Sequence, residues 1–404
     1  MQQHQTSDAA SMLERIDPAV MLRQVEAWCA INTGTANLAG LSDQASALAE
    51  AFSALPGEVE LVAPAPVTAI GSDGLEFEKP HGQHLVLRVR PQANRRILLT
   101  GHMDTVFPAD DPFQQQVWVD DNTLNGPGVA DMKGGIAVIL HALLAAETSA
   151  AAQSLGYDVL INSDEETGSL ASRDLIAELA RGKLAALTYE PSALPDGTLA
   201  HARGGTGNYS ITVTGKSAHA GRNPQDGRNA VVAAADLILR IKAMEHADLT
   251  VNPAKLEGGA ANNVVPDNAV LRFNIRPKTP EAMEGFDRAL TDVLRDIENV
   301  HEVSIHRHGG VTRPPKPVDA QAQRLFDLVK ACGAQLGQEI SWQSTGGVCD
   351  GNNIAACGVP VVDTMGVRGG AIHSPQEYLI VPSLAERAAL SALVITRIAA
   401  GDMN

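Results

Sequence analysis

The chain has 404 residues, 44% of them hydrophobic and 19% charged, with a formal net charge of −16. That length exceeds one ordinary core, so two domains, or one large domain with an insertion, are expected in a soluble globular protein. The acidity argues against nucleic acid or an anionic membrane surface as a partner.

The first twenty residues, MQQHQTSDAASMLERIDPAV, are polar and carry acids before any apolar run, unlike a secretory signal. No stretch offers about 18 consecutive apolar residues, so no membrane span is expected. Cys29, Cys332, Cys349 and Cys357 form no CxxC pair. Reduced thiols in a cytoplasmic protein follow as the simplest reading.

Farther along, HLVLRV (84–89) and RRILLTG (95–101) read as strands, the second suited to a sheet buried on both faces. IAVILHALLAAE (136–147) fits a buried helix, DVLINSDEE (158–166) a strand ending in acid, and SLASRDLIAELARG (169–182) an amphipathic helix closed by glycine. AALTYEP (185–191) repeats the strand-then-acid pattern. This alternation predicts an α/β domain with a mostly parallel sheet flanked by helices, whose ligand crevice opens at the carboxyl ends of the strands.

From 204 to 313 the order becomes strand, helix, strand, strand, helix, strand, as in a small ferredoxin-like βαββαβ unit. RPPKPVD (313–319) reads as a return linker because its prolines exclude regular structure. A helix from Ala320, the strand VPVVDTMG (359–366) and a last helix then resume the first pattern. The expected division is 1–203 and 314–404 for one split catalytic domain, with 204–313 inserted.

Chemistry gathers at the predicted strand ends, where His102, Asp104, Glu165, Glu166 and Glu190 fall. His102, Asp131, Glu165, Glu166, Glu190 and His373 offer imidazole and carboxylate without thiolate, a donor set for zinc, manganese or cobalt. A carboxylate bridging two ions, with two further ligands on each, uses five of the six and leaves one free to move protons. Asp104, two residues after His102, is placed to hold the imidazole's second nitrogen. Spacing alone does not choose between Glu165 and Glu166 as the free carboxylate. His141 reads as a core or helix-face histidine, His306 and His308 as exposed neighbours on one strand face, and Lys133 as a residue that shapes its glycine-rich loop. Cys349 lacks a nominated base, which weighs against a thiol nucleophile.

Taken together, GHMDTV, GPGVADMKGG, NSDEETGS, YEPS, TGKSAHAGRNPQDGRNA and IHSPQEY resemble the aminoacylase/carboxypeptidase family of dinuclear zinc hydrolases, nearest its glutamate-releasing carboxypeptidase G branch. The resemblance runs from about residue 95 to 380. It implies two zinc ions per subunit, with cobalt or manganese as substitutes. His102 and Glu190 would hold one ion and Glu166 and His373 the other; Asp131 would bridge them, and Glu165 would be the general base. It further implies a homodimer through the inserted domain, with His219 reaching the partner's site to stabilise an oxyanion. Asn263, Arg276 and Arg313 match positions used near a substrate carboxylate, a task for which arginine's planar fork is suited. The segment GGVCDGNN departs from the branch pattern, which leaves substrate identity open.

The expected reaction is hydrolysis of an N-acyl or peptide bond to an amino acid with a free α-carboxylate, favouring an acidic one such as glutamate. The substrate would be an N-acyl amino acid or short peptide. Glu165 would take a proton from the attacking water and pass it to the leaving nitrogen. A deacylase of acetyl- or succinyl-amino acids shares the same metal site. A metal-dependent binding protein without activity is the rival of another class, and retention of all six metal and base positions speaks against it.

Overall fold

The computed structural model describes residues 11–403; the first ten residues, part of the segment read above as lacking a secretory signal, lie outside it. The central sheet runs in the order Glu58–Val62, His84–Val89, Gly156–Asn162, Arg96–His102, Ala185–Thr188, Val361–Val362. The first two pairings are antiparallel and the remaining three parallel. Five of the six strands therefore run the same way, so the mostly parallel sheet expected is found with one reversed strand, His84–Val89, which makes it mixed. The cause is local: the strands His84–Val89 and Arg96–His102 are joined by a link too short for a helical crossover, so the chain must reverse direction.

Apolar sequence then decides what covers the sheet. The helix Gly134–Ala146 is buried along nearly its whole length and packs on the carboxyl-terminal helix Ser383–Ala400. Truncating a side chain such as Ile136 to alanine there would cost about 2–5 kcal/mol, because a filled core cannot close over the void. The apolar stretch Val129–Ala146 is long enough for a membrane span, yet 94% of it is buried inside the protein. Glycine permits one close approach beneath the site. A Cβ at Gly135 or Gly366 would lie 2.1 or 2.2 Å from the Tyr189 carbonyl, so only glycine lets both segments close around Glu190.

Residues Thr206–Arg313 build a second sheet, all antiparallel, in the order Leu249–Gly258, Asn268–Pro277, Thr206–Thr214, Ser304–Arg313. Helices Ala230–Lys242, capped by Asn229, and Pro280–His301, capped by Thr279, cover one face and share a core with Tyr209, Phe273 and Phe286. The outgoing and returning links pair through Arg203 and Lys316, whose backbones exchange two hydrogen bonds. A further sheet, Gly369–Gly370, Tyr378–Ile380, Thr123–Asn125, Val117–Asp120, was not expected, because its strands are short and come from distant parts of the sequence.

Candidate metal centre and active site

The strand Arg96–His102 ends by delivering His102 into the interior, 1% exposed. Its Nε2 lies 3.1 Å from Asp131 Oδ1 and 3.7 Å from Glu190 Oε2. Its Nδ1 meets the Asp104 carbonyl at 3.0 Å and the Asp104 carboxylate at 3.5 Å, so Asp104 orients the ring mainly through its backbone. On the other side, His373 Nε2 is 3.2 Å from both Asp131 Oδ2 and Glu166 Oε2. Two ligand groups result, His102–Asp131–Glu190 and Asp131–Glu166–His373, with donor atoms in each within 4.8 Å of one another. Asp131 belongs to both. Two imidazoles and three carboxylates so arranged fit a pair of divalent cations of the zinc, manganese or cobalt kind.

Charge inside the cage follows from burial and neighbours. Burial, then the Asp131 charge, push the Glu166 carboxyl up to about 8. Glu190 is also pushed up to about 8, again by burial first, although His102 opposes it. Burial would raise Asp131 as well, yet hydrogen bonds from His102 and His373 hold it well below the ordinary carboxylate range. Those same bonds to Asp131 and Glu166 raise the His373 imidazole to about 11. Crowded carboxylates that share few cations are chemistry suited to dications.

Several supports escaped the sequence reading. Glu377, 1% exposed, accepts the backbone N–H groups of Gly128, Ala130 and Asp131 at 3.2, 3.0 and 3.0 Å and so fixes the loop that presents Asp131. It lies four residues after His373 in IHSPQEY, a signal no spacing rule singles out. Asp104 does more than orient His102. Its carboxylate accepts the N–H groups of Glu165 and Glu166 at 3.1 and 3.2 Å, and the Thr35 hydroxyl at 2.7 Å. His373 sits at φ +61°, a left-handed conformation uncommon outside glycine, in a turn closed by the Ser374 hydroxyl on the Ala371 carbonyl.

Glu165 stands outside both ligand groups. Its Oε1 accepts from Arg313 Nη2 at 2.5 Å, and Arg313 also contacts Ser169 Oγ and lies 3.3 Å from Asp350. At 2% exposure Arg313 is no open fork; its guanidinium grips the carboxylate expected to act as base. Asp350, from the GGVCDGNN segment, is bonded by Asn162 and Ser169 and completes that grip. His219 and Asn263 lie on a separate exposed ribbon, Ala218–His219 paired with Val264–Val265, where their hydrogen bonds are local. Arg276 is exposed and donates to Asn274.

Among the set-aside residues, His141 is buried and bonded to Gln24, and Lys133 donates to the Trp28 and Ile31 carbonyls. His306 is exposed as expected. His308 is half-buried against Thr68, because the ribbon 68–78 covers that strand face. Burial pushes the Cys349 thiol well above its ordinary value, which keeps it a poor nucleophile.

With this geometry in view, comparison decides the family. The pattern of Peptidase family M20/M25/M40 matches residues 98–397. The chain belongs to that family. It is 31% identical over 395 residues to carboxypeptidase G2 of Pseudomonas sp. (strain RS-16), covering 95% of this chain and 90% of that one. Succinyl-diaminopimelate desuccinylase of Xanthomonas oryzae pv. oryzae is 27% identical, over 75% and 83% of the two chains. The fold matches a tripeptidase from Staphylococcus aureus with TM-score 0.70, at 24% identity over 95% of this chain and 99% of that one. A dinuclear metal binding peptidase from Bacillus subtilis matches with TM-score 0.65, at 15% identity over 94% and 98%. This M20 protein is a metal-dependent peptidase or amidohydrolase.

Proposed function

We propose that the protein hydrolyses an N-acyl or peptide bond to an amino acid with a free α-carboxylate, using two zinc ions and Glu165. The observation that carries this reading is the division of labour among carboxylates: Asp131 is shared by two ligand groups while Glu165 stands beside them, outside both. Two dications held by His102, Glu190, Asp131, Glu166 and His373 would supply Lewis acidity to the scissile carbonyl and lower the pKa of water. Glu165 receives a proton from the attacking water and delivers it to the leaving nitrogen. Arg313 engages Oε1 alone, and Oε2 makes no hydrogen bond among the described residues, so one oxygen is held while the other works. Asp104 fixes the Glu165–Glu166 backbone so that base and ligand keep their relative positions.

The remaining roles belong to the same proposal. The catalytic domain comprises 1–203 and 314–404, and the inserted domain 204–313 pairs two copies into a homodimer. His219 and Asn263 serve the partner's site; Arg276 meets the substrate carboxylate, with Arg313 behind it. The likeness to carboxypeptidase G2 supports a peptidase that releases an acidic residue such as glutamate. The likeness to a desuccinylase supports a second reading, an N-succinyl- or N-acetyl-amino acid deacylase.

A panel of N-acyl amino acids, dipeptides and their α-amides, tested on zinc-loaded protein by release of free amino acid, separates these readings. Release from acids but not amides is expected. Equal cleavage of acid and amide would defeat the carboxylate requirement, and no release from any substrate would defeat the proposed substrate class.

A further inference from the structure

A cavity of about 600 Å³ lies between the ribbon Thr68–Ile70/Glu76–Glu78 and the open face of the second sheet, with Thr167 and Thr312, the neighbours of Glu166 and Arg313, in its wall. The ribbon is tied down there: Arg272 donates to the Ile70 and Gly71 carbonyls at 2.8 and 3.2 Å, and His308 contacts Thr68 at 3.2 Å. None of the five metal-ligand side chains lines the cavity. Its charged lining is Lys79, Arg173 and Arg272, with no aspartate or glutamate, in a chain whose net charge is −16.

The cations differ in what they already hold. Arg272 is committed to Glu257 and the ribbon carbonyls. Lys79 is half-buried; its backbone N–H donates to the Val67 carbonyl, while its ammonium makes no hydrogen bond or ion pair among the described residues. Arg173 has only a long 3.9 Å contact with the adjacent Asp174. Two cations without close partners therefore share a recess whose other walls include Val67, Ile70 and Leu170. A partly desolvated cation gains from an anion, and apolar walls gain from an apolar body. The volume lies within the range of small-molecule sites.

We infer that this cavity is a second binding site, separate from the metal centre, for an organic carboxylate with an apolar body, its carboxylate taken by Lys79 and Arg173. The inference is independent of which bond the metal centre cleaves.

Calorimetric titration of the full-length, metal-loaded protein with benzoate, adipate and inorganic phosphate tests it. Saturable binding of benzoate or adipate, one per chain, is expected. Lys79→Gln combined with Arg173→Gln should weaken it ~10-fold or more, since charge-assisted bonds are lost. Both side chains are partly exposed, and thermal melts together with the Lys79→Gln single variant guard against misfolding. In His102→Ala, which lacks a metal-ligand side chain, binding should persist. The inference is overturned if neither acid binds by about 10 mM, a concentration beyond any useful affinity. It also falls if the double variant binds undiminished or if His102→Ala abolishes binding. Phosphate binding as tight as either acid would overturn the assignment to an organic carboxylate.

Discussion

The metal cage and the His219 ribbon hold functional groups in opposite ways. Around the cage, His102, Asp131 and Glu190 are each less than a tenth exposed, and their backbones are tied by Asp104, Glu377 and two close glycine approaches. On the ribbon, His219 and Asn263 are exposed, and among the described residues their hydrogen bonds are to near neighbours on the ribbon and the turn that follows it. The cage is preorganised by its own chain, whereas in the proposed mechanism the ribbon would act only when a second copy meets it. Variants in the cage should therefore fail alone, and variants on the ribbon should be repairable from outside.

The largest effect is expected inside the cage. Glu165→Gln should keep about two metals per chain by elemental analysis yet lose roughly 10³–10⁴-fold in kcat, the upper range for a group that serves as both base and acid. Turnover within tenfold of the unmodified protein would remove Glu165 from the mechanism and leave the cage without a proton carrier.

His219→Ala comes next, with an expected loss of about 10²–10³-fold in kcat, the scale of one oxyanion donor. Its particular signature is complementation. Co-expressed His219→Ala and Glu165→Gln chains should recover activity, because one site of the mixed dimer keeps both residues. Verified mixed dimers that stay inactive would place His219 in its own chain's site or in neither, and the contrast between the regions would collapse.

The central sheet and the second sheet are joined at the paired links Arg203 and Lys316, and there a buried charge cluster predicts a smaller effect. Asp363, fully buried, lies 2.7 Å from Arg203 and 3.0 Å from Lys316. Burial would raise its carboxyl, but the two cations prevail and hold it below its ordinary value of 3.8. A folded pKa below the unfolded one means stability that is present above pH 3.8 and lost as pH falls through the folded value. Asp363→Asn should destabilise by about 3 kcal/mol, which is somewhat over 10²-fold, because it strands two buried cations. In urea melts the variant should also lose part of the acid-side decline below pH 4. An unchanged acid limb would show that the cluster does not set it.

How much of this was legible depended on the kind of signal. The strand His84–Val89 and the inserted βαββαβ order stood out because alternation and apolar runs are local. His102, Glu165, Glu166 and Glu190 stood out because acids and histidines at strand ends are costly without a purpose, whereas which five are ligands and which one is the free base came from the family resemblance alone. The reversal of His84–Val89 was missed because chain reversal depends on the length of a link, not on the strand's own residues. Arg313 was read as an open fork, since nothing near TRPP announces that Glu165 and Asp350 will enclose it. Glu377 was overlooked for a related reason: its partners are backbone N–H groups some 250 positions earlier, invisible to side-chain patterns.

Glu377 supplies the smallest predicted effect and the sharpest test of preorganisation. Its carboxylate touches no ligand side chain; it accepts three N–H groups from the loop that carries Asp131. Glu377→Gln keeps the shape but replaces one acceptor oxygen with a donor, which then faces a backbone N–H it cannot satisfy. The loop should relax, and the groups that share Asp131 should bind metal less tightly. Partners beyond the ligands typically contribute 10–100-fold in metal affinity, so a loss in that range is expected in competition against a chelator. At saturating metal, kcat should recover most of its value, since Glu165 and its Arg313 grip are untouched. This split between affinity and turnover distinguishes positioning from catalysis. Unchanged metal affinity would mean that the Asp131 loop holds its shape without Glu377, and that the cage owes its order to the strand ends alone.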